Sequence, residues 1–202
     1  MPIMTGRDPK LQRFLDLTEE AIMVRASSHE NARSAATRIF AALRERAGTK
    51  SAAAPETLPV CGALDAALRI AEQGPLPIPC LATALVELAP DLVWRRRKGA
   101  ESESRTFFDG HANALVAGPE GIEIRDDVML GISLMAPHVR YPDHRHPPEE
   151  VYVSLAGGAW WKEHGDWHGP GSGGLVYNEP NVLHAMATEQ EPLLAIWCLW
   201  LR

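Results

Sequence analysis

The sequence predicts a mainly β fold, an antiparallel β-sandwich or barrel preceded by an α-helical amino-terminal region. From about Phe107 onward the chain shows short runs rich in Val, Ile, Leu and aromatic residues, each bounded by Gly, Pro, Asn or Asp. The preceding part is rich in alanine, with apolar residues at helical spacing. We therefore divide the chain into a helical region at 1–105 and a barrel at 106–202. We expect the helices to pack on the barrel rather than to form a separate domain.

Four helical segments are predicted in the first region. Apolar residues recur over residues 11–24, and a second segment opens near Ser28, a residue type favoured at the N-cap, and ends before Gly48. Two more apolar segments cover residues 64–71 and 81–93, and the Pro-rich stretch GPLPIP separates them.

The strands of the barrel are predicted where apolar runs alternate with turn residues. The clearest runs are VMLGISLM, VYVSLAGG, GLVYN and LLAIWCLWL. Their length and their Val, Ile and aromatic content are typical of strands in sandwiches and barrels.

Composition and charge exclude several classes of function. The 202 residues are 46% hydrophobic and 23% charged, as in ordinary globular proteins, and the net charge is -6. This net negative charge does not favour binding to nucleic acid. The short basic run RRRK at 95–98 is interpreted as a solvated helix end. No stretch approaches the ~18 apolar residues that a membrane span needs.

The cellular compartment is inferred from the amino terminus and the cysteines. The chain starts without the apolar segment of a secretory signal. Cys61, Cys80 and Cys198 are odd in number and widely spaced, which favours buried thiols in a reducing compartment over a disulfide framework. We therefore expect a cytoplasmic protein.

The segment HRHPPEEVYVSLAGG contains a candidate metal site. Its even-numbered polar residues are His144, His146, Glu150 and Tyr152. In one extended segment they would share a face, because alternate side chains of a strand point the same way. The Pro-Pro pair would bulge or turn the chain, and the two valines that flank Tyr152 would face the other wall of the sandwich. Imidazole and carboxylate ligands suit Zn, Fe, Mn, Co or Ni.

A later histidine completes the predicted ligand set. His184 follows the apolar run GLVYN and the turn NEPN. A histidine beside apolar strands is usually a core residue, but here it offers the ligand that the first segment lacks. The sequence therefore predicts a bound divalent metal ion.

These two segments resemble the two cupin motifs. Residues 144–157 read HxHxxxExxxxxxG, which matches the first motif from its first histidine onward, with His138 where its opening glycine usually stands. The string GGLVYNEPNVLH resembles the second motif in outline, departing from it at Glu179 and later at Thr188. The resemblance covers residues 126–201 and implies a double-stranded β-helix barrel. Cupins host many chemistries, so this fold specifies no reaction.

A narrower resemblance depends on two tyrosines. The string YPDHRHPPEEVYVSLAGGAWW is similar to the cupin-type dimethylsulfoniopropionate (DMSP) lyases, particularly the branch known as DddQ. The metal ligands that this resemblance implies are His146, Glu150, His184 and, as the first motif histidine, His144. It further implies that Tyr152 lies at or near the metal and serves as the base. Tyr141 matches a second functional tyrosine of the family.

The resemblance implies a β-elimination that splits dimethylsulfoniopropionate, a small sulfonium compound, into dimethyl sulfide and acrylate. The α-proton is weakly acidic, so a metal that binds the substrate carboxylate would act as a Lewis acid. An ordinary tyrosine has a pKa of about 10, and a neighbouring cation would favour the phenolate that the base needs. Aromatic side chains would attract the sulfonium group.

Alternative functions stay open at this point. A cupin dioxygenase or isomerase could use the same ligands, although it would not need a basic phenol at Tyr152. A non-enzymatic zinc-binding anti-sigma factor or sensor of the ChrR type also joins helices to a cupin. Its helical His/Cys cluster is not matched by the spacing of His29, Cys61 and Cys80. A plain small-molecule-binding cupin is the third alternative. Many cupins pair through strand edges, so a homodimer is the assembly that we consider.

Overall fold

The computed structural model describes residues 6–202 of the chain. The α-helices are α1 Pro9–Arg25, α2 Glu30–Glu45, α3 Leu64–Ala71, α4 Ile78–Leu88 and α5 Arg105–Gly110. The strands are β1 Thr49–Lys50, β2 Trp94–Arg95, β3 His111–Gly118, β4 Glu123–Ile124, β5 Val128–Met135, β6 Arg140–His144, β7 Glu150–Ala156, β8 Ala159–Lys162, β9 Leu175–Asn178, β10 His184–Ala187 and β11 Leu193–Trp200.

The strands form two sheets that carry the candidate site between them. An eight-stranded sheet has the order β1-β4-β3-β5-β11-β7-β9, with β2 also paired to β3, and a three-stranded sheet has the order β6-β10-β8. Neighbouring strands are antiparallel except β3 and β4. Helices followed by two β-sheets confirm the predicted fold class. The short strands β1 and β2 lie within residues 1–105, so that region adds to the large sheet, and the division of the chain at 105/106 stays a prediction.

The helix boundaries follow local capping as well as apolar spacing. Asp8 caps α1 by accepting a 2.9 Å hydrogen bond from the backbone N–H of Lys10. The second helix does not have Ser28 as its N-cap residue. It begins at Glu30, and His29 holds the N-cap position without a capping bond from its side chain.

The segment after α4 differs from its predicted form. The helix predicted to run to residue 93 ends at Leu88, and the chain enters β2 at Trp94. The basic run at 95–98 is therefore not a helix end: Arg95 belongs to β2, and Arg97 lies beyond it. Arg97 was also expected to be solvated, but only 23% of its side chain is exposed.

The large sheet is buried on both faces. Val151, Val153 and Leu155 of β7 belong to the same hydrophobic cluster as the buried side chains of helices α1 to α4. Tyr152 belongs to a second cluster inside the barrel. The prediction that the valines face a sandwich wall is therefore wrong, because helices cover that side of the sheet. Near-continuous apolar strands are expected when both faces are covered.

A buried ionic network joins the start of the chain to the large sheet. Arg7 Nε lies 2.6 Å from Glu123 Oε2, and Arg125 lies between Glu123, at 2.9 Å, and Asp127, at 2.8 Å. Burial alone would raise the pKa of Glu123, but hydrogen bonds from Arg7 and Arg125 hold it below its usual value. The network satisfies charges that would be costly to bury alone.

The burial of the cysteines agrees with the prediction at two positions and differs from it at one. Cys198 is buried and Cys61 half-buried, but Cys80 is exposed, so the prediction of three buried thiols is wrong for Cys80.

Within residues 6–202, no helix combines the length and the apolar character needed to cross a membrane.

Candidate metal centre and active site

Three predicted ligands meet at one point inside the barrel. One ligand atom from each of His144, His146 and His184 lies within 4.8 Å of the others. His144 on β6 and His184 on β10 are register partners, with ring centroids 4.1 Å apart. His146 follows β6 in the loop that leads to β7. The chain bends at residues 147–148, where the Pro-Pro pair was expected to bulge or turn it, so the two histidines and Glu150 do not lie on one extended strand, and β6 and β7 belong to different sheets.

Each histidine of this group makes a hydrogen bond to a backbone carbonyl two residues away. The Nδ1–O distances are 2.9 Å from His144 to Pro142, 2.8 Å from His146 to Pro148 and 2.9 Å from His184 to Val182. Because a carbonyl oxygen can only accept, each Nδ1 carries a hydrogen. The Nε2 lone pairs are thereby directed to other partners, which is the usual arrangement of metal-binding histidines.

Glu150 brings a carboxylate to the same point from the large sheet. Its Oε2 atom lies 3.3 Å from His146 Nε2 and 3.4 Å from His184 Nε2, and it accepts a 3.1 Å hydrogen bond from Asn178 Nδ2. Burial raises the pKa of Glu150, but the two histidines outweigh burial and lower it to about 2. The carboxylate is therefore ionised.

These four side chains fit a divalent cation. The Nε2 atoms of His146 and His184 face an ionised oxygen of Glu150, and this arrangement is stable only with a positive charge between them, which a proton or a bound cation can supply. His184 Nε2 is buried and has no hydrogen-bond partner within residues 6–202, which is costly unless a ligand satisfies it. Burial lowers the pKa of His144 to about 4, so its ring is neutral, as a ligand must be.

Both predicted tyrosines line a cavity of about 420 Å³ beside this group. Tyr152, two residues after Glu150 on β7, is almost fully buried. Burial, the charge of Glu150 and a hydrogen bond to it raise the pKa of Tyr152 well above 10. The phenol is therefore neutral unless a positive charge is close to it.

Tyr141 lies on β6 and packs against His144, with ring centroids 4.7 Å apart. Burial raises the pKa of Tyr141 to about 12, while the charge of Arg97 and a hydrogen bond with Asn113 act in the opposite direction. Ser133 donates a 2.7 Å hydrogen bond to Asn113 Oδ1, which leaves the Asn113 NH2 group free to face Tyr141.

Several residues of the site were missed in the sequence. Asn113, Asn178 and Arg97 contact the tyrosines or Glu150, but no spacing within the sequence connects them to the motif. Of the three, Asn178 was the easiest to predict from the sequence, because it ends β9, the strand before the turn that leads to His184. Its position opposite Glu150 depends on the β7–β9 register.

The family profile of the dimethylsulfoniopropionate lyases matches residues 31–195. The chain belongs to the DMSP lyase family. The resemblance stated from its motifs, to the DddQ-like lyases, is thereby confirmed.

Two curated proteins that are similar to this chain are named as dimethylsulfoniopropionate lyases. The chain is 34% identical over 135 residues to a candidate dimethylsulfoniopropionate lyase, DddL, of Cereibacter sphaeroides, covering 66% of this chain and 55% of that protein. It is 31% identical over 110 residues to the dimethylsulfoniopropionate lyase DddQ of Ruegeria pomeroyi, covering 53% of each. The chain thus spans about half the length of the curated relatives it matches.

Solved structures agree with the fold of this family member over nearly its whole length. The crystal structure of the DMSP lyase DddQ from Ruegeria pomeroyi DSS-3 superposes with a TM-score of 0.73 at 22% identity, covering 96% of this chain and 92% of that one. A chain from the crystal structures of the DMSP lyases RdDddP and RnDddQII gives a TM-score of 0.74 at 22% identity, covering 95% and 92%. The predicted cupin barrel with its preceding helices is confirmed.

Proposed function

We propose that this chain is a metal-dependent carbon–sulfur lyase that cleaves dimethylsulfoniopropionate into dimethyl sulfide and acrylate. The observation that carries the proposal is the convergence of one ligand atom from each of three histidines with an ionised glutamate beside a cavity that two buried tyrosines line. Membership of the DMSP lyase family supports this substrate.

The side chains that would hold the metal are His144, His146, Glu150 and His184. When bound, a divalent cation such as Zn, Fe, Mn, Co or Ni supplies a Lewis acid for the substrate carboxylate and a positive charge that favours the phenolate of a nearby tyrosine. Asn178 holds Glu150 in position through its 3.1 Å hydrogen bond.

Tyr152 is the base of the proposed reaction. Its phenolate oxygen takes the proton from the α-carbon, and the C–H electron pair becomes the carbon–carbon double bond. The bond from the β-carbon to sulfur then breaks, and its electron pair leaves on sulfur, so that a sulfonium cation becomes neutral dimethyl sulfide. Tyr152 suits this role because it lies on the same face of β7 as Glu150, two residues away.

The remaining walls of the cavity suit the substrate's other groups. Tyr141 lines one side next to His144, as the second tyrosine of the site. Trp197, the register partner of Tyr152 on β11, offers an aromatic surface on the other. An aromatic ring attracts a sulfonium group by about 0.5–2 kcal/mol, depending on desolvation.

Product analysis tests the proposed function. The full chain, loaded in turn with each candidate metal, is incubated with dimethylsulfoniopropionate with and without oxygen. We expect dimethyl sulfide in the headspace and acrylate in solution in equal amounts, whether or not oxygen is present. Oxygen consumption coupled to turnover would instead favour the dioxygenase. No turnover with metal bound would contradict the lyase and favour a sensor.

A specific observation weighs against the sensor of the ChrR type. Among residues 6–202, the His/Cys/Asp/Glu group arranged to hold a metal is the one in the barrel. His29, Cys61 and Cys80 of the helical region do not form such a group.

A further inference from the structure

We propose that Arg97 binds the carboxylate of the substrate alongside the metal ion and thereby contributes to the specificity of the cavity for carboxylates. This inference deepens the proposed lyase function, on which it rests for the identity of the substrate. The binding of a small carboxylate by Arg97 can be tested independently of any turnover.

The charges around the cavity favour an anion. Three cationic side chains line it, Arg97, Lys98 and Arg145, against one carboxylate, Glu150. The charge of Glu150 is directed to the histidines, as its contacts with their Nε2 atoms show. Arg97 and Arg145 pair with Glu103 and Glu163, which lie outside the lining, so the cations at the cavity itself outnumber its carboxylate and raise the local concentration of anionic ligands.

Among these cations, Arg97 is the one built into the wall. Its guanidinium carbon lies 5.3 Å from the ring centroid of Tyr141 and 5.4 Å from that of Phe107. Arg145 is instead 54% exposed and lies 3.8 Å from Glu163. Lys98 is also exposed. Both of these belong to the rim and act at longer range.

The guanidinium of Arg97 has donors left for a ligand. Its Nη2 atom donates a 2.8 Å hydrogen bond to Glu103. Its Nε atom is buried and has no acceptor in the described part of the chain. Burying a donor without a partner costs free energy, and a shift of the side chain toward a ligand oxygen in the cavity would recover that cost. The planar guanidinium matches a carboxylate in geometry as well as in charge.

His111 holds this part of the chain in place. Its Nε2 atom accepts a 2.9 Å hydrogen bond from the backbone N–H of Arg97, and its Nδ1–H donates to the carbonyl of Phe107 at 2.5 Å. The ring also stacks on Phe107 with a centroid distance of 3.7 Å. His111 is therefore a positioning residue that fixes Arg97 before a ligand arrives, which is how specific sites are preorganised.

Arg97 would also orient a zwitterionic substrate. A guanidinium attracts the carboxylate and repels the sulfonium group, so the cationic end is directed away from Arg97. The cavity wall formed by Trp197, Met129 and Leu199 carries no charge and includes an aromatic ring. It provides the surface to which a sulfonium group is drawn.

Titration calorimetry with propionate and with uncharged propionamide tests the assignment on the metal-loaded full chain. Arg97→Gln should weaken propionate binding about 10- to 100-fold, the usual effect of losing a hydrogen bond to a charged group. It should leave propionamide binding unchanged, and Arg97→Lys should retain part of the affinity. Arg95→Gln is the matched control, since Arg95 is exposed and pairs with Glu56 away from the cavity.

Three results would overturn the assignment. One is propionate binding to Arg97→Gln within twofold of the wild type. Another is an equal loss for propionate and propionamide, which would indicate a general defect of the site; metal content and thermal midpoint, measured alongside, check that the variant is folded. The third is wild-type protein that does not bind propionate.

Kinetics separate this proposal from the lyase proposal. If the chain is a lyase and Arg97 binds the carboxylate, Arg97→Gln raises KM for dimethylsulfoniopropionate by at least tenfold. Turnover with an unchanged KM would refute the role of Arg97 and leave the lyase standing. Arg97-dependent propionate binding without any dimethyl sulfide would refute the lyase and leave the carboxylate site standing.

Discussion

His184 Nε2 and Glu150 Oε2 lie 3.4 Å apart, and they come from strands of two different sheets. The Nδ1 atom of His184 is already engaged with Val182, so its Nε2 atom is the one available to Glu150. A cation shared between them would connect β10 to β7 across the barrel interior. Metal binding at this pair would therefore be linked to the closure of the barrel.

Removing His184 tests that link. We expect His184→Ala to weaken metal binding by more than the ~10- to 100-fold that loss of a residue supporting a ligand costs. Competition with a fluorescent chelator measures the affinity. His29→Ala is the control, because His29 is exposed and its side chain makes no capping bond. Equal metal affinity in the two variants would rule out His184 as a ligand.

Tyr152→Phe tests the base. The variant keeps the ring and removes only the phenol, so we expect kcat to fall by about 10²- to 10⁴-fold while the metal content stays unchanged. The control is Tyr177→Phe, the third tyrosine of the chain, whose hydroxyl donates to Glu149 on the helix-covered side. Near-normal turnover of Tyr152→Phe with metal bound would show that another group removes the proton.

Gly131→Ala tests how Trp197 is positioned. Gly131 is the register partner of Trp197, and a methyl group there would come within 2.7 Å of Cε2 of that ring. We expect a loss of about 1–3 kcal/mol in the free energy of unfolding, measured in urea, because the ring must shift. Gly62→Ala is the matched control, since a methyl group at Gly62 meets no atom within 4 Å. Equal stability of the two variants would contradict close packing at Trp197.

The ionic network predicts how stability depends on pH. The folded-state pKa of Glu123 lies below its usual value. Its contribution is therefore complete above the unfolded-state pKa of about 4.3 and is lost as the pH falls from there through the lowered folded-state pKa. Near neutral pH, Glu123→Gln should cost about 3 kcal/mol of unfolding free energy, because it removes the carboxylate paired with buried Arg7 and one of the two carboxylates that flank Arg125.

The control for that experiment is Glu56→Gln, which breaks the exposed pair with Arg95. Such a pair is worth about 0–1 kcal/mol. Denaturant titrations from pH 7 down to pH 3 should show the difference between Glu123→Gln and wild type shrinking at acid pH. A difference that stays constant over this range would refute the assigned origin of the stabilisation.

The parts of this structure that depend on a local sequence pattern could be predicted from the sequence. The run VMLGISLM coincides with β5, because a short, nearly continuous apolar run between turn residues has few other stable arrangements. The candidate ligands could be found because imidazole and carboxylate chemistry belongs to the residue type. The proximity of His144 and His184 required a strand register, which came from the family motif and not from spacing.

Other features depend on long-range packing and were missed. Arg97 looked like part of a solvated basic run, and only the contact between its backbone and His111 brings it to the cavity wall. Val151 and Val153 were assigned to the wrong surroundings, since alternation shows that two faces differ but not whether helices or a sheet cover them. Such contacts join residues far apart in the chain, and no local pattern encodes them.

The most direct measurement of the central claim follows dimethyl sulfide release as metal is removed and restored. The full chain is stripped with a chelator, dialysed, and reloaded in steps with one metal, and gas release and bound metal are measured on the same samples. We expect release to disappear with the metal and to return in proportion to it. Full gas release from metal-free protein, or metal-saturated protein that releases none, would contradict the account.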